Sequence, residues 1–153
     1  MDKTNVMRVL DQKKVEYTPY YYSPDIVDGI SIAATLEEPV ERVFKTLVTV
    51  ANNGTNFVFC VPVAETLDLK KAAKAVNVKS ITMIKQKELL PLTGYIHGGC
   101  SPIGMKKPLK TIIHDTATNL ETFFVSAGKV GYQVELNPQK LSKLINATFA
   151  DII

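Results

Sequence analysis

A glycine-rich loop at residues 93–104 is the first candidate for a functional site. It reads TGYIHGGCSPIG, with four glycines and one proline. Because glycine tolerates positive φ and close backbone approach, Gly98 and Gly99 can leave main-chain N–H groups facing a ligand. Pro102 fixes the exit from the turn. A tight connection between two strands is the simpler interpretation, but the loop contains more glycine and proline residues than a hairpin turn needs.

Cys100 and His97 lie three residues apart in this loop and could act as a nucleophile and its base. A thiol beside glycines in an exposed loop can form a thiolate readily. The alternative role for Cys100 is that of a small apolar residue filling a tight turn. With two histidines and two cysteines in the chain, the ligands for a zinc site are too few, and we expect no metal.

Lys45 is the most informative charge. It follows Phe44 at the start of an apolar strand, where a lysine is costly unless its ammonium reaches water or an anion. With an ordinary pKa of about 10.4, it is a fixed positive charge at neutral pH and not a base. A phosphate or a developing oxyanion would suit that charge. The simpler alternative is a strand-end lysine that extends to solvent.

The composition is that of an ordinary globular protein. The chain has 153 residues, of which 46% are apolar and 22% charged, and we expect one domain over residues 1–153. The net charge of +3 permits a polyanionic partner such as RNA without requiring one. We find neither an apolar signal region at the N-terminus nor an apolar run of membrane-spanning length. We therefore expect a cytoplasmic protein with no membrane contact.

A central hairpin must position Lys45. Residues 45–51 and 56–62 read as two strands, and the Asn53-Gly54 turn between them favours a type I′ connection. Around this hairpin the pattern predicts a helix capped by Thr4, one capped by Ser31 and one running from Pro39 to Phe44. Three further helices are expected at 68–76, at 85–90 and from 138 onward, and five further strands at 17–22, 80–84, 111–114, 122–126 and 132–136. This irregular alternation predicts an α+β fold around one mixed sheet.

Four segments together resemble the YbaK/EbsC family. They are FKTL at 44–47, LKKAAK at 69–74, the glycine loop and its extension at 93–107, and VSAGK at 125–129. The resemblance covers nearly the whole chain. The best-known members of the family are bacterial Cys-tRNA(Pro) deacylases, relatives of the editing domain inserted in prolyl-tRNA synthetases.

The resemblance implies a single α+β domain with a mixed, barrel-like sheet flanked by helices. It implies a trans-editing enzyme that hydrolyses the ester of a mischarged tRNA, either Cys-tRNA(Pro) or another small aminoacyl-tRNA, without a cofactor. The expected partner is the acceptor end of an aminoacyl-tRNA, and prolyl-tRNA synthetase is a further candidate. In Cys-tRNA editors the thiol of the substrate is thought to attack its own ester, which would account for the lack of a clear protein nucleophile.

The resemblance also assigns roles to residues. Lys45 matches the family's essential lysine near the terminal nucleotide, and residues 98–102 match a GxxxP loop whose N–H groups hold the aminoacyl carbonyl. The expected catalytic residues are therefore Lys45, Gly98 and Gly99. The expected substrate-binding residues are Tyr20, Asp28, Gly29, Thr46, Cys100, Ser101, Pro102, Ser126 and Gln133.

Three positions depart from the family pattern. Asp28 stands where characterised members carry phenylalanine, Gln133 where they carry aspartate, and Val130 where an arginine is usual. The first two bear on which amino acid fits, so we expect relaxed selectivity among small aminoacyl groups. Two alternatives remain, a non-catalytic module that binds tRNA or nucleotides and an envelope-related regulatory protein. Retention of both Lys45 and the GxxxP loop favours the enzyme.

Overall fold

The computed structural model describes residues 2–153. Its five helices are α1 (Asn5–Gln12), α2 (Gly29–Thr35), α3 (Leu69–Ala75), α4 (Gln86–Thr93) and α5 (Pro138–Ile145). The strands are β1 (Thr18–Tyr21), β2 (Phe44–Ala51), β3 (Asn56–Pro62), β4 (Ile81–Met83), β5 (Lys110–His114), β6 (Phe123–Ser126), β7 (Tyr132–Leu136) and β8 (Thr148–Ala150). Two 3₁₀ turns lie at Val40–Arg42 and Asp115–Asn119.

The strands form two sheets. One has five strands in the order β4-β2-β3-β5-β8, and the other has three antiparallel strands in the order β1-β7-β6. In the larger sheet β2 is antiparallel to β3 and β4, whereas β5 is parallel to β3 and β8. The α+β class is thus confirmed. The expected single barrel-like sheet is divided in two. The β-bridge that joins the two sheets in the described residues is an isolated one between Val43, just before β2, and Phe124 of β6.

The predicted hairpin is confirmed, and it holds Lys45 opposite Val61 in the β2–β3 register. Both faces of β3 are covered. On one face Val58 belongs to the core that contains Val6 and Phe123 of α1 and β6. On the other face Phe59 packs with the buried alanines of α3. A strand covered on both sides is a rigid support for its neighbour β2.

Three local predictions were wrong. Helix α2 begins at Gly29 and not after Ser31, because the carboxylate of Asp28 accepts the Ser31 N–H at 3.0 Å. The helix expected from Pro39 to Phe44 is a single 3₁₀ turn, since Phe44 already pairs with β3 as the first residue of β2. The apolar C-terminal tail contains β8, which was not predicted and pairs with β5.

None of the helices in residues 2–153 is both long enough and apolar enough to cross a membrane.

Candidate active site

A cavity of about 280 Å³ lies where four parts of the fold meet. These parts are the start of β2, the start of α2, the glycine loop and the adjoining ends of β6 and β7. A wider surface depression over β1 and β7 contains none of the charged or glycine-loop candidates. The cavity is lined by Val27, Asp28, Gly29, Ile32, Val43, Phe44, Lys45, Thr46, Leu47, Val63, Leu89, His97, Gly98, Cys100, Ser126 and Gln133.

Lys45 supplies the positive charge of the cavity. Its side chain is half-buried, and its ammonium forms no ion pair with any carboxylate of residues 2–153. Burial lowers the pKa of Lys45 from its ordinary value, and the more distant carboxylate of Glu65 offsets part of this effect. A partly desolvated cation without a partner is suited to bind an anionic group of a ligand.

The glycine loop contributes Gly98 and Cys100 to the cavity lining. Gly98 has φ +87°, a conformation that side chains strongly disfavour. The Gly99 N–H donates to the Ile96 carbonyl at 3.0 Å and is therefore used within the loop. Among residues 2–153 we find no acceptor for the N–H of Gly98 or of Cys100, both of which line the cavity. These two donors are available to an oxyanion, whereas that of Gly99 is not.

The first turn of α2 closes a second side of the cavity. Gly29 packs closely against Val63, the residue that follows β3. A Cβ added at Gly29 would lie 2.4 Å from Cγ1 of Val63. Asp28 lines the cavity but is exposed, and its carboxylate caps α2 through the Ser31 N–H. That hydrogen bond lowers the pKa of Asp28. The residue therefore shapes the cavity mouth while its charge is already engaged.

The part of the cavity wall formed by Ser126 and Gln133 is neutral and polar. Ser126 and Gln133 are direct partners in the β6–β7 register, so their side chains lie on the same face of the small sheet. Ser126 Oγ accepts the Gly128 N–H at 3.2 Å. The Gln133 amide donates to the Tyr22 hydroxyl at 3.4 Å, a long contact, and its Oε1 has no partner in the described residues.

The cavity lacks an activated protein nucleophile. Burial raises the pKa of the Cys100 thiol to about 12, so the thiol is protonated at neutral pH. The other cysteine, Cys60, is fully buried, and its pKa is likewise raised to about 12. No group of three or more side chains suited to hold a metal occurs in residues 2–153. Hydrolysis in this cavity would need a nucleophile from the substrate or from water.

Eight of the twelve predicted site residues line the cavity, and four do not. Gly99 packs against the backbone of Lys129 and Val130. Ser101 is fully buried, and its Oγ accepts the Ile103 N–H. Pro102 is also buried. Tyr20 is directed elsewhere and donates to the Glu135 carboxylate at 2.7 Å.

Several apolar residues of the cavity were not singled out from the sequence. Val27, Val63 and Leu89 come from three separate parts of the chain and converge only in the folded protein. Their side chains carry no reactive group, so residue type gave no signal. Tyr22, which contacts Gln133, was likewise seen only as part of an aromatic strand.

Comparison with known proteins identifies the family to which this chain belongs. A sequence model described as the aminoacyl-tRNA editing domain matches residues 24–144. The chain is 45% identical over 152 residues to the Enterococcus faecalis protein named "Putative Cys-tRNA(Pro)/Cys-tRNA(Cys) deacylase EbsC", with 98% of this chain and 93% of that protein covered. It is 30% identical over 108 residues to the proline–tRNA ligase of Burkholderia orbicola, a match that covers 68% of this chain and 19% of the ligase.

Solved structures share the fold. One titled as a "putative trans-editing enzyme for prolyl tRNA synthetase" superposes with a TM-score of 0.84 at 22% identity, covering 99% of this chain and 98% of that one. A hypothetical protein superposes with a TM-score of 0.90 at 18% identity, covering 97% and 99%. The fold is therefore that of a known group of α+β proteins. The chain belongs to the aminoacyl-tRNA editing domain family, and the resemblance to YbaK/EbsC proteins is confirmed.

Proposed function

We propose that this protein is a trans-editing deacylase, which hydrolyses the ester bond of a tRNA charged with the wrong small amino acid. Cys-tRNA(Pro) is the first candidate substrate. The observation that carries the proposal is the meeting of an unpaired Lys45 and the unpaired N–H groups of Gly98 and Cys100 in one cavity. Family membership and the relative named "Putative Cys-tRNA(Pro)/Cys-tRNA(Cys) deacylase EbsC" support it.

In the proposed mechanism the loop stabilises charge and Lys45 holds the tRNA end. The ester carbonyl lies at the N–H groups of Gly98 and Cys100, where negative charge develops on its oxygen as the tetrahedral intermediate forms. The ammonium of Lys45 binds an anionic group near the terminal nucleotide. Neither group takes a proton, so the protein contributes positioning and electrostatics.

The nucleophile comes from outside the protein. With a cysteinyl ester, the substrate sulfur bonds to the carbonyl carbon and the bond from that carbon to the ribose oxygen breaks. The thiol proton passes to the released ribose oxygen, which becomes a hydroxyl, and the amino acid leaves as a thiolactone. With an alanyl ester, water attacks and gives the free amino acid. The protonated state of Cys100 agrees with a reaction that uses no protein thiol.

The dimensions and charge of the protein suit such a substrate. A cavity of about 280 Å³ is at the small end of ligand sites, which are typically about 300–1,000 Å³, and so favours a short amino acid. The net charge of +3 suits a polyanionic partner. We further propose a cytoplasmic location, where aminoacyl-tRNA is used, and prolyl-tRNA synthetase as a partner that supplies mischarged tRNA(Pro).

A deacylation panel tests the proposal. Purified protein is mixed with Cys-tRNA(Pro), Ala-tRNA(Pro), Pro-tRNA(Pro) and Cys-tRNA(Cys), and loss of the labelled amino acid is followed against the uncatalysed rate. We expect fast release from at least one mischarged tRNA and slow release from Pro-tRNA(Pro). Binding of these tRNAs with no release from any of them would favour the non-catalytic module instead.

A further inference from the structure

Gln133 has a buried side-chain amide whose hydrogen-bonding capacity the protein itself does not fill. The side chain is 4% exposed and borders the cavity, yet its Oε1 has no hydrogen-bond partner in residues 2–153. Its Nε2 donates only to the Tyr22 hydroxyl, at 3.4 Å. Buried side-chain amides nearly always have closer partners than these. An amide so placed is available to a ligand.

The location of Gln133 limits which part of a substrate it can meet. Gln133 lies beside Ser126 on the neutral wall. Lys45, which carries the positive charge of the cavity, belongs to a different part of the lining, the start of β2. The terminal torsion of a glutamine side chain is broad, so Oε1 can turn toward the cavity without any backbone change. The amide would exchange a long contact with Tyr22 for a shorter one with the ligand.

Gln133 Oε1 is the one buried side-chain nitrogen or oxygen in residues 2–153 without a hydrogen-bond partner, and two other side-chain acceptors around the cavity already receive a backbone N–H. The carboxylate of Asp28 caps α2, and Ser126 Oγ accepts the Gly128 N–H. A ligand with a hydrogen-bond donor would therefore find Oε1 of Gln133 as a buried acceptor without a competing partner. In an aminoacyl ester, the α-amino group is a donor on the carbon next to the carbonyl, and every amino acid except proline carries it as a primary amine.

We propose that the Gln133 amide binds the α-amino group of the esterified amino acid. The site then accepts aminoacyl-tRNA with a free amino group and rejects N-acylated aminoacyl-tRNA, which includes peptidyl-tRNA. This rests on the proposed deacylase function and narrows its substrate class. An acylated nitrogen has lost one donor and carries added bulk that an enclosed neutral wall does not admit. Such selection spares the growing chains of translation from hydrolysis.

The test compares Ala-tRNA with N-acetyl-Ala-tRNA, since alanine has no donor in its side chain. For the wild type we expect kcat/KM to favour the free amine by at least about tenfold, because a site built around a hydrogen bond discriminates strongly. In Gln133→Met, which keeps the length but has no acceptor, the ratio should fall toward one through slower hydrolysis of the free amine. In Gln133→Glu, which keeps an acceptor, the preference should remain.

Two results overturn the inference while leaving the deacylase intact. One is equal hydrolysis of both substrates by the wild type, and the other is an unchanged ratio in Gln133→Met.

A binding measurement keeps the inference testable if neither substrate is hydrolysed, a result that would count against the deacylase itself. Amide-linked 3′-alanylamino-3′-deoxyadenosine and its N-acetyl form are titrated against the wild type and Gln133→Met by calorimetry. The acetyl form should bind at least about tenfold more weakly to the wild type, with little difference in the variant. Equal affinities in the wild type overturn the inference. Thermal unfolding should show Gln133→Met to be close to the wild type in stability, because Oε1 has no partner to lose and Nε2 loses only the long contact with Tyr22.

Discussion

The N–H of Gly99 donates to the carbonyl oxygen of Ile96 over 3.0 Å, and this bond decides how the glycine loop meets the cavity. It closes the loop on itself and leaves the preceding glycine, Gly98, at φ +87° on the cavity wall. The two adjacent glycines thus have different roles. One stabilises the loop, and the other presents a main-chain donor.

We expect Gly98→Ala to lower the deacylation rate by about 10²–10³-fold, the usual effect of losing one oxyanion donor. A Cβ at Gly98 would lie 3.4 Å from Val27 in a backbone region that side chains avoid, so the loop must shift. Single-turnover deacylation measures the loss. Gly54→Ala is the matched control, since Gly54 has φ +85° with nothing within 4 Å, and it should strain the hairpin turn without altering turnover. Equal losses in both variants would mean that backbone strain alone is responsible.

Lys45→Met should abolish measurable deacylation while the protein remains folded. The lysine is half-buried and unpaired, so removing its charge breaks no ion pair in the described residues. Deacylation assays and thermal unfolding check the two parts. Lys110→Met, which replaces an exposed strand lysine outside the cavity, is the control and should retain activity. A folded Lys45→Met protein with near wild-type rates would remove Lys45 from the site.

The ammonium of Lys45 should titrate below the ordinary lysine value of 10.5. Because burial disfavours the charged form, the unfolded chain binds this proton more tightly, and stability rises with pH between the folded pKa and 10.5. Titration of ¹³C-lysine-labelled protein by NMR measures the pKa directly. Glu65→Gln should lower it further, since the carboxylate raises it. A Lys45 pKa at or above 10.5 would contradict the buried, unpaired state.

Cys100→Ser should leave deacylation close to the wild-type rate. A thiol with a pKa of about 12 is protonated at neutral pH and is a poor nucleophile. Alkylation of the wild type by iodoacetamide at pH 7 should be correspondingly slow. Loss of activity in the serine variant together with rapid alkylation would restore the cysteine mechanism that the loop sequence first suggested.

Asp28→Ala should destabilise α2, and the loss should depend on pH. Asp28→Asn should not destabilise α2, because an asparagine side chain can still cap the helix. Hydrogen bonding to Ser31 lowers the Asp28 pKa below 3.8, so its contribution is complete above the unfolded pKa and is lost as pH falls through the folded pKa. The difference in Tm between wild type and Asp28→Ala should therefore shrink in acid. Asp25→Ala, in the same loop, is the control. A constant difference from pH 7 to pH 2 would argue against the cap.

This capping role changes the specificity prediction made from the sequence. Relaxed selectivity was expected from Asp28 and Gln133 together, but the Asp28 charge is engaged in α2. Asp28→Phe would therefore remove a helix cap as well as add an aromatic wall. The Gln133 variants change the cavity without that side effect. We expect selectivity between Cys-tRNA and Ala-tRNA to respond to Gln133 and to be unchanged in Asp28→Asn, as the same deacylation panel measures.

The sequence by itself determined most of the local elements and the candidate chemistry. Alternation of apolar residues and the Asn53-Gly54 turn predicted the β2–β3 hairpin, because both signals act over a few residues. Residue types singled out Lys45 and the glycine loop, the family resemblance assigned roles to both, and the fold brings Lys45, Gly98 and Cys100 into one cavity. These features depend on residue types and short spacings, which can be recognised in a single sequence.

Only the tertiary structure decided how hydrogen bonds and neighbours are shared among those candidates. Whether Gly98 or Gly99 keeps a free N–H depends on the path of the loop, and whether Asp28 meets a ligand or a helix depends on where α2 begins. Tyr20 is drawn away by Glu135, which is distant in the chain. Each donor and acceptor takes the partner that the packed fold supplies, and contacts between remote segments leave no local pattern in the sequence.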